Sequence, residues 1–282
     1  MIMSATTGGI VASQDGTSIN YQTLGAGEGL LILGGAWRTG RDYLPLARAL
    51  AGSFAVNVID RRGRGRSGQQ GSDYNVEREV EDLFAVQLQT GARAVFGHSY
   101  GGLIALEAAR RSTVFADVVV YEPGISVAGS IPLGWMNRYR ELLAAGDRRG
   151  AFAAMVRGAG GAPPALERAP LWYAKFMLRL FINEPQWRQI DPLLEAALVE
   201  HEQVAALDQV TADRYRTVAA RVTLLGGAKS RPLFTTTLFD QLTATIPNCT
   251  TELLDGLDHT APDEKAPDQV AERVLHHLRA SD

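Results

Sequence analysis

The 282-residue sequence predicts an α/β protein built on one mostly parallel sheet. Three observations carry this. Short apolar runs recur at Leu30–Leu33, Phe54–Ile59, Ala92–Phe96, Val118–Tyr121 and Val222–Leu225, and they read as strands buried on both faces. The stretches between the first four have helical spacing and short connections, the pattern of strands crossed over by helices. From about Ser126 the alternation stops, and no strand-like run returns until Val222. The expected architecture is a sheet of about eight strands flanked by helices, with a helical lid inserted after the sixth strand. The boundaries are a first core segment over 1–125, a helical cap over 126–217 and a second core segment over 218–282.

Ile10–Ser13 and Thr17–Thr23 alternate apolar and polar residues around Asp15-Gly16, which predicts an antiparallel hairpin at a sheet edge. Helices are expected near Asp42–Leu50, Asn75–Gln89 and Leu103–Arg110. In the cap they are expected near Leu133–Ala145, Ala151–Arg157, Ala165–Phe181 and Pro192–Ala206. The second core segment carries a helix from about Leu233 to Thr245, a last strand at Thr250–Leu254 and a final amphipathic helix at Pro267–Arg279. Gly158–Pro164 reads as a flexible break. The cap holds Trp135, Trp172 and Trp187 with several other aromatics. Most are expected to pack the cap's own core, with Trp135, Trp172 and Phe176, and Trp37 from the first core segment, as candidates to face a ligand.

Hydrophobic residues make up 46% of the chain and charged residues 21%, which suits a globular domain with a sizeable core. The formal net charge of -3 gives no broad basic face for nucleic acid or an anionic membrane. The single cysteine, Cys249, excludes an intrachain disulfide and reads as a buried strand thiol. No stretch is long enough to cross a membrane, and Met1–Gly9 lacks the basic-then-apolar pattern of a secretion signal. The cytoplasm is the expected location. No metal site and no cofactor are expected.

The chemistry centres on Gly97-His98-Ser99-Tyr100-Gly101-Gly102. An apolar run leads into this G-x-S-x-G and a helical stretch leads out. A serine at such a strand-to-helix corner is pushed clear of the sheet, and the helix-start N–H groups point toward the same space. That arrangement suits a nucleophile whose attack creates an oxyanion. A serine hydroxyl needs a positioned base. Of the five histidines, His98 lies inside the corner, while His201, His276 and His277 lie on helices and read as surface residues. His259, in the loop after a strand, is the candidate base.

With Asp60-x-Arg62-Gly63-x-Gly65-x-Ser67 and the late histidine, this corner resembles the α/β-hydrolase superfamily, serine-nucleophile branch with a helical cap, along nearly the whole chain outside the cap. The resemblance implies the order nucleophile, acid, histidine, with Ser99 attacking an acyl carbon while His259 takes its proton. It implies two backbone oxyanion donors, Tyr100 after the nucleophile and Ala36 in Gly34-Gly35-Ala36, with Trp37 the alternative to Ala36. It makes the arginines of Asp60–Ser67 scaffold or solvated charge. Many relatives carry the acid in the loop after the cap, but here Gly226–Pro232 has no carboxylate. Other relatives place it one strand earlier, which implies Glu122, with Asp258 and Asp255 as runners-up.

The implied activity is hydrolysis of a carboxylic ester, lactone or thioester of a small hydrophobic substrate through an acyl-enzyme. C–C bond hydrolysis, cofactor-free oxidative chemistry and non-hydrolytic small-molecule binding are the alternatives that the same resemblance carries.

Overall fold

The computed structural model describes residues 7–127, 129–159, 164–207, 212–232 and 235–279. Its strands are β1 Thr7–Ala12, β2 Ser18–Leu24, β3 Gly29–Leu33, β4 Ala55–Ile59, β5 Ala94–His98, β6 Asp117–Tyr121, β7 Arg221–Gly227 and β8 Cys249–Leu254. They form one sheet in the order β1-β2-β4-β3-β5-β6-β7-β8. The β1–β2 hairpin joins the edge antiparallel, and every pair from β4 onward to β8 is parallel.

Side chains alternate across a strand, and the interior strands use both sides. Leu31 and Leu33 of β3 enter one core with Val118 and Val120 of β6. Leu30 and Ile32 enter the other with Val119 and Tyr121. The first core is closed by α2 Val76–Thr90, α3 Tyr100–Arg111 and α10 Thr236–Thr245, and the second by α1 Leu44–Leu50 and α11 Pro267–Arg279. Local signals set the ends. Asn75 caps α2 by accepting from the Arg78 N–H at 3.2 Å, and Gly91 stops it in the left-handed conformation.

Six α-helices lie between β6 and β7 among the described residues: α4 Met136–Ala144, α5 Arg148–Gly158, α6 Pro164–Arg168, α7 Leu171–Phe181, α8 Glu184–Ile190 and α9 Leu194–Leu207. The single helix expected over Ala165–Phe181 is two, parted before Pro170, whose ring fixes its own backbone and disfavours helix in the residue before it. Residues 160–163 of the Gly158–Pro164 break, and the start of the helix expected from Leu233, lie outside the described residues. Trp135, Met136, Tyr139, Phe152, Met155 and Leu194 form a third core that belongs to these helices. Cys249 is partly buried, and burial raises its thiol to about 11. Among the described residues no helix is long and apolar enough to cross a membrane.

Of the two readings of the Asp60–Ser67 arginines, scaffold or solvated charge, three take the first. Arg61, Arg62 and Arg64 are buried, and burial forces each cation onto a partner. Arg62 grips both oxygens of Asp82 at 2.7 Å. Arg61 and Arg64 both reach Glu200 of α9, so this buried cluster ties the helical segment to the sheet domain. Removing Glu200 leaves two buried guanidiniums without their main anion. Glu200→Ala is expected to destabilise the chain by about 3 kcal/mol or more in urea unfolding.

Candidate active site

Parallel strands bring their carboxyl ends to one rim of the sheet, and crevices form there. His98 of β5 pairs with Tyr121 of β6, so Ser99 and Glu122 are the next residue along on neighbouring strands. The Ser99 N–H donates to the Tyr121 carbonyl at 3.0 Å, and the Glu122 N–H to the Leu225 carbonyl at 2.9 Å. Among the described residues these two are the non-glycine positions with positive φ, 54° at Ser99 and 43° at Glu122. Such backbone is strained for L-residues and persists only where its surroundings enforce it.

The enforcement at Ser99 is close packing. A Cβ on Gly97 would lie 2.5 Å from the Gly101 carbonyl oxygen, and one on Gly101 would lie 2.4 Å from that of Leu33. Glycines at both places let the start of α3 press against β3 and β5. The Tyr100 amide, at the first position of α3, has no intrahelical acceptor.

Glu122 is 2% exposed and its carboxylate is fully engaged. Oε1 accepts from the Gly227 N–H at 2.8 Å and the Ser230 hydroxyl at 2.6 Å. Oε2 lies 2.8 Å from Nδ1 of His259. The loop after β7 carries no carboxylate, yet its Ser230 and the last residue of β7, Gly227, supply the donors that hold this one. Neither signal is visible in sequence, because Ser230 lies 108 residues from its partner. Gly227 also lets the β8 loop close in, since a Cβ there would stand 2.4 Å from Leu257 backbone atoms.

Asp258 is turned elsewhere. It accepts from the Thr260 N–H at 3.0 Å and hydroxyl at 2.9 Å, and pairs with Lys265. Partial burial works against its charge, but these contacts hold its carboxyl below the usual range. Asp255 is exposed. Desolvation opposes the His259 imidazolium only in part, since the side chain is 49% exposed, and the Glu122 hydrogen bond and charge outweigh it, so the pKa is raised. Asp263, Arg38 and His98 are the other ionisable groups beside it.

His98 turns beneath the corner. Its Nδ1 is 2.6 Å from the Tyr43 hydroxyl and its Nε2 is 2.9 Å from the His259 carbonyl oxygen. A carbonyl only accepts, so Nε2 carries the proton and Tyr43 donates to Nδ1. Tyr43 in turn accepts from the Gly35 N–H at 2.9 Å. Burial keeps His98 neutral, with His259 and Arg38 adding to the effect. Asp263, which the sequence did not flag, sits 3.9 Å from His98 and pairs with Arg38. Burial raises its carboxyl to about 6 against the pull of Arg38.

A cavity of about 540 Å³ opens on this rim. Ser99, Tyr100, Ala36, Trp37, Glu122 and His259 all line it. Ser99 and His259 are not hydrogen-bonded to each other; both edge the same space. Ile131, Met155, Ala159, His201 and Val204 give the wall from the segment between β6 and β7, and Lys229, Arg231 and Lys265 are the cations around it. Arg64 donates to the Ala36 carbonyl at 2.5 Å and so fixes the loop after β3. Of the aromatic candidates, Trp37 alone is on the wall. Trp135 is packed in the helical core behind it. Trp172 and Phe176 face outward, 70% and 53% exposed, because α7 buries only Ala174 fully and turns its aromatic stripe to solvent. His201, expected at the surface, is a wall residue instead. Among the described residues no three His, Cys, Asp or Glu side chains group as metal ligands.

The model of the alpha/beta hydrolase family matches residues 30–273, and the chain belongs to that family. An alpha/beta hydrolase from Sphaerobacter thermophilus superposes with a TM-score of 0.80 at 30% identity, over 96% of this chain and 100% of that one. An esterase from a Rhodococcus species shares the fold at a TM-score of 0.66 and 22% identity, over 98% and 99% of the two chains. Among curated relatives, the proline iminopeptidase of Saccharolobus solfataricus is 27% identical over 57% of this chain and 53% of its own length. The pimeloyl-[acyl-carrier protein] methyl ester esterase of Aliivibrio salmonicida is 32% identical over 33% of this chain and 34% of its own. The chain thus spans about half or less of the length of the curated relatives it matches.

Two outcomes follow from the geometry alone. NMR titration of the His259 ring is expected to give a pKa above the ordinary ~6.5. That value is expected to fall in Glu122→Gln, where the anion is gone, and to move little in Asp258→Asn. Gly101→Ala is expected to cost on the order of 2 kcal/mol or more in thermal unfolding, because its Cβ meets backbone. Gly134→Ala, where nothing lies within 4 Å, is expected to be near neutral.

Proposed function

We propose that this chain is a serine hydrolase that cleaves a carboxylic ester, lactone or thioester of a small hydrophobic substrate through an acyl-enzyme. The single observation that carries the reading is the 2.8 Å contact between His259 and the buried Glu122 on the wall of the cavity that Ser99 lines. Nδ1 is committed to the carboxylate, so the other ring nitrogen, Nε2, is left to take a proton from the cavity side. The names of the methyl ester esterase, the Rhodococcus esterase and the iminopeptidase agree with acyl chemistry.

In this reading the Ser99 Oγ attacks the acyl carbon while His259 Nε2 removes its proton. The imidazolium that forms is stabilised by Glu122, whose charge is in turn held by Gly227 and Ser230. The Tyr100 and Ala36 amides receive the oxyanion, with Arg64 keeping the Ala36 peptide in place. His259 then protonates the leaving group, and a water activated by the same nitrogen releases the acid. Hydrogen bonds between such groups commonly tighten only when substrate is bound, so the Ser99–His259 bond belongs to the complex. The segment 126–217 acts as the cap, and its Ile131, Met155, Ala159 and Val204 give the apolar wall on which a hydrophobic acyl or alcohol group rests.

The test is chemical. A fluorophosphonate is expected to label Ser99, and a short p-nitrophenyl ester to be turned over. Ser99→Ala is expected to lose the label and about a thousandfold or more in kcat. Glu122→Gln is expected to lose about a hundredfold or more, against a few-fold for Asp258→Asn. The acid limb of kcat/KM is expected above ~6.5, because the base must be neutral and its pKa is raised, and to shift to lower pH in Glu122→Gln. Stoichiometric binding of the ester without turnover would replace this reading by that of a small-molecule binding protein.

A further inference from the structure

His201 does something in the cavity that the chemistry above does not use. It lies on α9, and its ring sits edge-on to Trp135 at 5.0 Å and tilted against Trp37 at 6.2 Å. One turn back, the Ala197 carbonyl oxygen is 2.6 Å from its Nδ1. A carbonyl offers no proton, so Nδ1 must carry the hydrogen. Burial holds the ring's pKa below its ordinary value, against the pull of that carbonyl, so the ring is neutral and has one proton to place. Nε2 is therefore a bare lone pair. No group of the chain donates to it among the described residues, and it is not among the polar atoms sealed from solvent. His201 lines the cavity described above.

We infer that Nε2 of His201 accepts a hydrogen bond from a hydroxyl or amide N–H of the substrate, so that the natural substrate is a hydrophobic acyl compound bearing one neutral donor away from the scissile bond. The inference rests on the hydrolase reading for what the cavity holds, and deepens it. The surroundings make the discrimination physical. Met155 and Val204 give apolar wall on the same cavity, so a ligand lacking the donor leaves an acceptor stripped of water and unpaired. The two tryptophans and the Ala197 carbonyl hold the ring in one orientation, so the acceptor is fixed before anything binds.

The experiment compares matched pairs of p-nitrophenyl esters with the full chain: unsubstituted acyl groups against the same groups with a hydroxyl on successive carbons, and a second series with the hydroxyl on the alcohol part. For one position, kcat/KM for the hydroxylated ester is expected to exceed its partner by about tenfold. In His201→Phe, which keeps an aromatic ring and removes the acceptor, that ratio is expected to fall to about one. The ratio within a pair is the readout, so a general change in activity cancels, and an unchanged melting temperature checks the fold. The same pairs titrated calorimetrically into Ser99→Ala and into Ser99→Ala with His201→Phe give the ratio from Kd, without turnover. The inference is overturned if no hydroxyl position is favoured in the parent, or if the preference survives His201→Phe. Failure of the hydrolase reading looks different: no labelling and no turnover of any ester, with the calorimetric ratio still deciding the role of His201.

Discussion

The site depends on the register between β5 and β6. Because His98 pairs with Tyr121, Ser99 and Glu122 leave the sheet side by side, each donating its backbone N–H to a carbonyl of the strand next to it. A slip of one residue would send the serine and the carboxylate to opposite faces. Both residues then adopt left-handed backbone, a cost of about 1–3 kcal/mol each that the sheet and the glycines around the turn have to absorb. The strain thus sits at the two places where a side chain must leave a strand end and turn at once toward the cavity.

The helical segment is joined to this rim by charge as well as by apolar contact. Glu200 of α9 meets Arg61 and Arg64 in a layer with almost no exposure, and Arg64 also holds the Ala36 carbonyl. A buried ion cluster adds little net stability over an apolar equivalent, but breaking it by removing one member is costly. Its effect here is geometric. The wall that brings His201 and Val204 to the cavity is referenced to the same arginine that fixes the loop after β3.

Much of the fold was legible in the sequence, and for a clear reason. Interior strands are short apolar runs, and their order along the chain with helices between them leaves few topologies. The Pro267–Arg279 helix was readable to its ends because its apolar stripe is strong. The helix α8 was missed because it is short, with no fully buried residue and only Trp187 and Ile190 packed against the helical core. The faces of the segment between β6 and β7 were the weak point. Periodicity shows that α7 has an aromatic side but says nothing of what that side meets, and Trp172 and Phe176 meet solvent. His201 is the converse, one of a polar run on its helix, whose partners, Trp37 and Trp135, come from distant stretches. Ser99 and His259 could be nominated from their positions after strands, and Glu122 from the resemblance to relatives that carry the acid one strand earlier. The support of Glu122 by Ser230 could not, because it is made by folding alone.

The string of contacts under the corner has a mechanical consequence. From the Gly35 amide through Tyr43 and the His98 ring to the His259 carbonyl, three stretches far apart in the chain are strung on successive hydrogen bonds of 2.9, 2.6 and 2.9 Å. The imidazole in the middle has both nitrogens occupied and one tautomer available. The glycine loop on one flank of the serine and the histidine loop on the other are therefore braced against a common strut. Neither can drift without dragging the other, and the gap between them keeps its width as the rest of the molecule breathes.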